Sequence, residues 1–203
     1  RALVIDLDPQ RSITRWSKQS PATADSKGFN LSKHVVPITL DIDRPALQFK
    51  NDLDKLIEET NSSFVVIDTP PSLEDAALLA ALMSDLILVP VTPSPLDIWA
   101  AESAVKTGRD ARKERGGNLP YIILIPSRVQ PKTVLGRELS DSLGGIGERV
   151  GPSITQRVAL VESAVVGQTI DQYSPKSPSH FEFETLAKYV TKILKGIHHG
   201  KKS

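Results

Sequence analysis

Three aspartates carry the chemistry that this sequence offers. Asp6 and Asp8 lie in Val4-Ile5-Asp6-Leu7-Asp8-Pro9-Gln10, and Asp68 lies in Phe64-Val65-Val66-Ile67-Asp68-Thr69-Pro70-Pro71. In each run acid stands where an apolar strand ends. Ligands of an open α/β sheet bind at the carboxyl ends of its strands, so two such runs can bring their carboxylates to one site. A local reading of Asp6 and Asp8 competes with this one: they end a strand and cap a helix beginning near Ser12, where Asp, Ser and Thr are favoured.

The elements that must position these acids follow from short β-branched runs closed by Asp and Pro, the pattern of parallel strands buried on both faces. Four more runs repeat it: His34 to Ile38, Leu86 to Val91, Tyr121 to Pro126 and Val150 to Ile154. Helix-period segments lie between them, among them Pro45 to Thr60, Leu73 to Met83 and Asp97 to Arg115. Alternating strands and helices predict a doubly wound α/β domain, a mostly parallel sheet flanked by helices. The chain reads as one domain over 1–203, with no linker and no repeat. Ser17 to Lys33 and Gly144 to Gly151 read as surface loops. Gly145-Ile146-Gly147 follows a helix and not a strand, which argues against a dinucleotide fingerprint.

A chain of 203 residues with 39% hydrophobic content can bury a sizeable core. The absence of cysteine excludes disulfides, thiolate zinc sites and cysteine-held iron–sulfur clusters, and is compatible with a reducing cytoplasm. No run is long and apolar enough to span a membrane and no signal peptide is visible. With a formal charge of +1, affinity for nucleic acid or anionic lipid must come from a local patch.

Taken together, Asp6-Leu7-Asp8-Pro9-Gln10, Ile67-Asp68-Thr69-Pro70-Pro71 and Pro90-Val91-Thr92-Pro93-Ser94-Pro95-Leu96-Asp97 resemble the ParA-type partition ATPases, within the ParA/MinD-type deviant Walker A group. The third motif and Ser153-Ile154-Thr155-Gln156-Arg157 look most like the short ParF-type plasmid proteins and the related McdA-like ATPases that position carboxysomes. The resemblance runs in order along essentially the whole chain. It implies a fold of the P-loop NTPase type. Members open with a strand and a glycine-rich deviant Walker A loop, Lys-Gly-Gly-x-Gly-Lys-Thr, that holds the phosphates. No such motif stands here, as if one strand–loop–helix unit of roughly 30 residues were missing upstream, and the expectation is an N-terminally incomplete domain.

The resemblance gives each motif a role. Asp68 corresponds to the Walker B acid that holds magnesium through a water, an ion that prefers oxygen ligands and keeps several waters. Asp8 corresponds to the residue that orients the attacking water, with Asp6 in support; Pro9 and Gln10 follow in the same nucleotide-binding segment. Ser127, Arg128, Thr155 and Gln156 match positions that surround the adenine base. Pro93 and Pro95 stiffen a turn placed before a helix opening at Asp97, and with Trp99 they are dimer-interface candidates. Trp99 reads equally as an aromatic buried within one subunit.

What the resemblance implies as a whole is an ATP- and Mg2+-dependent switch. ATP joins two subunits into a homodimer, the dimer binds nonspecific DNA, and a cognate adaptor protein stimulates hydrolysis and release. This segregates a plasmid or spaces a protein cargo such as carboxysomes, in the cytoplasm on the nucleoid. Lys106, Arg109, Arg112 and Lys113 on one helix, and Lys188, Lys192, Lys195, Lys201 and Lys202 near the end, are the cationic stripes that DNA phosphates would meet. Each stripe also reads as a solvated helix face. Leu186, Tyr189, Val190, Ile193, Leu194 and Ile197 allow a MinD-like membrane reading of the last helix, but no disordered linker precedes it and any helix packed on a sheet shows such a stripe. His198 and His199 read as tail residues. A noncatalytic scaffold or DNA-binding protein without a P-loop is the alternative from another class. The nitrogenase iron protein and the bacterial tyrosine kinases, of similar fold, fit less well, since cluster cysteines and a terminal tyrosine cluster are both missing.

Overall fold

The computed structural model describes residues 2–19, 34–37, 46–70 and 74–200. The alternating runs become β1 (Ala2–Asp6), α1 (Ser12–Gln19), β2 (Val35–Pro37), α2 (Ala46–Thr60), β3 (Phe64–Asp68), α3 (Glu74–Met83) and β4 (Leu86–Val91). They continue as α4 (Pro95–Glu114), β5 (Tyr121–Pro126), α5 (Val134–Gly144), β6 (Arg149–Val150), α6 (Val158–Val165), α7 (Ile170–Tyr173) and α8 (Pro178–Gly200). Of the predicted segments, Ile38, Pro45, Leu73, most of the 17–33 loop, and Lys201 and Lys202 lie outside the described residues, as does Pro71 of the second acidic run.

Two three-stranded parallel sheets form, ordered β2-β1-β3 and β4-β5-β6. Strand β5 shows how the sequence makes a doubly wound architecture. Ile122 and Leu124 point to a core with Val105 of α4 and Leu139 and Leu143 of α5. Their neighbours Ile123 and Ile125 point the other way, against Leu160 of α6 and Leu186, Tyr189 and Ile193 of α8. A strand covered on both faces must be apolar at every position, which is why Tyr121–Pro126 shows no polar alternation. In the other sheet Leu3 and Ile5 pack with Phe49 and Leu53 of α2 and Ala80 of α3.

Three boundaries differ from the sequence reading. Helix α4 begins at Pro95 and not at Asp97, with Ser94 as N-cap, because proline's missing N–H costs nothing at the first helical position. Strand β6 covers Arg149–Val150 and not Val150 to Ile154. Pro152 has no N–H to continue the ladder; Gly151 N–H still donates to the Leu124 carbonyl at 2.8 Å, and beyond the proline Ile154 N–H rejoins β5's end at the Pro126 carbonyl, 2.8 Å. Ser17 belongs to α1, where its hydroxyl donates to the Thr14 carbonyl. Gly145 is the C-cap of α5, as a helix exit requires.

Strand β3 lies at one edge of the first sheet and β4 at one edge of the second, and among the described residues the two are not paired with each other. Registry places Leu3 beside Val65 and Ile5 beside Ile67, so Val65 and Ile67 face the α2/α3 core while Phe64, Val66 and Asp68 face away from it. On that second face Phe64 is 40% exposed, Val66 53% and, on β4, Leu88 41%. Apolar edge strands of this kind can pair with a further strand.

Candidate active site at the carboxyl ends of the strands

The parallel register sets Asp6 directly beside Asp68. In paired parallel strands such neighbours share a face, so the last residues of β1 and β3 put two carboxylates together, with Asp8 two residues on. Asp6 is 1% exposed. Its Oδ2 accepts the Thr14 hydroxyl at 2.6 Å and the Thr14 N–H at 2.9 Å, and its Oδ1 accepts the Asp8 N–H at 3.2 Å. The capping reading therefore holds for Asp6: it ties the first turn of α1 to the end of β1 and orients Asp8. Asp8 accepts the Gln10 N–H at 2.8 Å through one oxygen, in a partly open turn that also places Pro9 and Gln10 at the surface. Burial, followed by the charges of Asp6 and Asp8, raises the Asp68 carboxyl above the ordinary aspartate range. Crowded carboxylates of this kind are relieved by a cation. Among the described residues no group of three or more His, Cys, Asp or Glu is arranged to hold a metal by itself.

The same end of the second sheet supplies the turn after β4. The Thr92 hydroxyl donates to the Asp97 carboxylate in the first turn of α4, and Pro93 stands in the turn while Pro95 starts the helix. Trp99 is 63% exposed and Leu96 69%. Of the two sequence readings of Trp99, the structure realises an outward side chain and not a buried one.

The loops after β5 and β6 form one unit. Val129 N–H donates to the Ile154 carbonyl at 3.0 Å, Gln156 N–H to the Val129 carbonyl at 2.9 Å, and the Gln130 and Gln156 side-chain amides bond to each other. The Ser127 hydroxyl turns back to the Ile125 carbonyl, and Arg128 holds φ of 50°, a left-handed conformation that a non-glycine residue adopts only where its surroundings fix it. Gly136 lets α5 approach this unit, since a Cβ there would stand 2.1 Å from the Gln130 carbonyl oxygen. Ser127, Arg128, Thr155 and Gln156 are thus brought together, at the same end of the strands as the acids.

The two cationic stripes fare differently. Lys106 pairs with Asp110, and Arg109 and Arg112 converge on Glu148 at 2.8 and 3.1 Å, so the α4 stripe is largely compensated. On α8, Lys188, Lys192 and Lys195 line one open groove with Glu184, Ala187 and Thr191, and Lys188 pairs with Glu184 at 2.9 Å. The opposite side of α8 is committed to the core through Leu186, Tyr189 and Ile193. No helix among the described residues is long and apolar enough to cross a membrane.

Sequence reasoning missed the residues that hold these parts in place, namely Thr14, Glu148 and Glu182. Glu148 is a clamp at the opposite end of β5. Burial works to raise its pKa, but hydrogen bonds and charge from Arg112 and Arg109 outweigh that and hold the carboxyl below the usual range. Its folded pKa being depressed, its contribution is present above the unfolded value and is lost as pH falls through the folded one. Glu148→Ala is expected to cost about 1.5–3 kcal/mol at neutral pH, typical of charge-assisted hydrogen bonds. Urea unfolding checks this, and the difference from wild type should shrink in acid.

The open, parallel α/β fold carries acids at two adjacent strand ends of one sheet and polar loops after two adjacent strands of the other, and in such folds ligands bind at the carboxyl ends of the strands. The family model "ATPase MipZ" matches residues 1–104. The maintenance of carboxysome distribution protein A of Halothiobacillus neapolitanus is 30% identical over 169 residues, 82% of this chain and 70% of that protein. The chromosome-partitioning ATPase Soj of Thermus thermophilus is 23% identical over 209 residues, 94% and 83% of the two chains. Among solved structures, apo McdA from Cyanothece superposes with a TM-score of 0.68 at 16% identity, over 93% of this chain and 87% of that one. The MinD cell division protein of Aquifex aeolicus gives 0.67 at 14%, over 94% and 84%. The chain belongs to the ParA/MinD-type ATPase family.

Proposed function

We propose that this chain is the body of an ATP-driven positioning ATPase whose reaction takes place at Asp6, Asp8 and Asp68. The observation that carries the reading is the pairing of Asp6 with Asp68 across β1 and β3, with Asp8 beside them and the unpaired edge of β3 next to the cluster. A further parallel strand between β3 and β4, followed by a helix covering Phe64, Val66 and Leu88, would complete the sheet and bring a phosphate-binding loop to the acids. In that domain Asp68 would hold magnesium. The all-oxygen donor set and the raised Asp68 pKa suit a hard divalent ion whose remaining ligands are phosphates and waters. The ion supplies charge neutralisation at the transferring phosphoryl group. Asp8 orients the attacking water, and Asp6, spent on Thr14 and the Asp8 amide, keeps Asp8 in place. The base lies against Ser127, Arg128, Thr155 and Gln156. Catalysis of phosphoryl transfer rests on such positioning more than on a strong base.

ATP then favours a homodimer, with the exposed Leu96 and Trp99 and the Pro93–Pro95 turn at the contact. The dimer holds nonspecific DNA through the lysine face of α8, and an adaptor protein stimulates hydrolysis and release. Cycles of this kind distribute a cargo, plasmid or protein compartment, over the nucleoid in the cytoplasm. The core packing of Leu186, Tyr189 and Ile193 weighs against a membrane role for α8. Lys192→Glu with Lys195→Glu is expected to weaken retention on DNA at least tenfold and to reduce the salt slope by about two, one for each lysine that no longer meets a phosphate; unchanged retention would place the DNA surface elsewhere. ATP hydrolysis by the full-length protein, with and without Mg2+, tests the activity itself, and binding of DNA indifferent to ATP would favour a noncatalytic scaffold.

A further inference from the structure

Glu182 stands near the start of α8, the helix whose later turns carry Lys188, Lys192 and Lys195. Its carboxylate reaches back to the loop after β6. Oε2 accepts the Thr155 N–H at 3.0 Å, while Oε1 accepts the Thr155 hydroxyl at 2.8 Å and Arg157 Nη2 at 3.0 Å. Burial alone would raise this carboxyl, yet the three donors and the Arg157 charge hold it below the usual range, so it is ionised at neutral pH. Both donors of Thr155 are spent on Glu182. Thr155 in turn bridges Val129 of the loop after β5, and Gln156 is bonded to Gln130. One carboxylate therefore joins α8 to the whole two-loop unit. The apolar packing of Leu186, Tyr189 and Ile193 holds the helix on the sheet but has no directional preference. The Glu182 bonds supply the direction, since shifting α8 relative to the loops breaks three charge-assisted bonds together.

We infer that Glu182 is a positioning residue through which nucleotide at the carboxyl-end loops and DNA on the lysine face of α8 act on each other. The inference rests on the proposed ATP and DNA sites. Linkage makes it quantitative. The factor by which ATP tightens DNA binding equals the factor by which DNA tightens ATP binding, and removing a residue that carries the coupling lowers both equally. Glu182→Gln keeps the size but replaces one acceptor oxygen with an NH2 that faces a donor.

The test is a titration of the full-length wild type, Glu182→Gln and Arg157→Leu with a fluorescent ATP analogue and Mg2+, with and without a nonspecific DNA duplex. Glu182→Gln is expected to reduce the coupling factor at least fivefold in both directions, and to raise KM for ATP with kcat at saturating ATP and DNA within about twofold. Arg157→Leu, which removes one of the three bonds without touching a residue assigned to the base, should move the same way by about twofold and serves if Glu182→Gln does not fold. A merely structural Glu182 would lower stability and leave the coupling factor at its wild-type value, which would overturn the inference. Wild-type protein that binds no ATP analogue, or whose DNA affinity ignores ATP, would remove the proposed function and this inference with it; intact wild-type coupling with an unmoved variant removes this inference alone.

Discussion

Asp8→Ala is expected to lower ATP turnover by about 10²–10³-fold, the range seen when one positioned group at a reacting centre is removed, while leaving Mg-ATP binding in place. The asymmetry follows from what Asp8 touches. One of its oxygens accepts the Gln10 N–H in an exposed turn and nothing in the core depends on it, so the fold should lose less than about 1 kcal/mol. Asp6, buried against Thr14, remains to hold the end of β1. The variant should therefore accumulate as an ATP-bound dimer that does not reset. Single-turnover hydrolysis together with size analysis in ATP separates the two effects, and normal turnover would remove Asp8 from the reaction.

Asp68→Asn should produce two changes of opposite sign. Burial and the charges of Asp6 and Asp8 raise the folded pKa of Asp68 above its unfolded value. The folded state then binds the proton more readily, so stability falls as pH rises from the ordinary aspartate range through the folded pKa. Above it the carboxylate opposes folding. Removing the charge is expected to stabilise the nucleotide-free protein at neutral pH by about 1 kcal/mol, a usual gain when a functional site is relieved, or roughly 2–4 °C in Tm for a chain of this size. The gain should disappear in acid. Mg-dependent hydrolysis should fall by about 10²-fold or more, since the ion loses its protein anchor. A side chain kept for packing would lose stability on replacement, so a lower Tm at neutral pH would contradict the assignment.

Much of this arrangement was legible where a local pattern decides it. Leu86–Val91 and Tyr121–Pro126 are strands at the bounds that the apolar runs indicate, because burial on both faces demands unbroken apolar character. Asp6, Asp8 and Asp68 could be read as one group because parallel strands bring their carboxyl ends to one side. The start of α4 was misread because proline stops a helix from within but begins one readily, and β6 was overextended because Val150 to Ile154 contains a proline that cannot continue a ladder. The clamps were not legible. Glu182 is 27 residues from Thr155 and Glu148 is 36 from Arg112; no helical or strand period links such pairs, and only the packing of α8 and α4 on the sheet brings them together. Asp6 shows the opposite lesson: the plain capping role is realised through Thr14, and the same carboxylate also holds the Asp8 amide.

In the proposed cycle ATP switches the association of this chain through the acids at β1 and β3. Light scattering of the full-length protein with Mg2+ and ATP, then with Mg2+ and ADP, tests it most directly. The molar mass should double in ATP and return to the monomer value in ADP, with Asp8→Ala remaining dimeric after ATP is added. A single mass in both nucleotides, for wild type and variant alike, would contradict it.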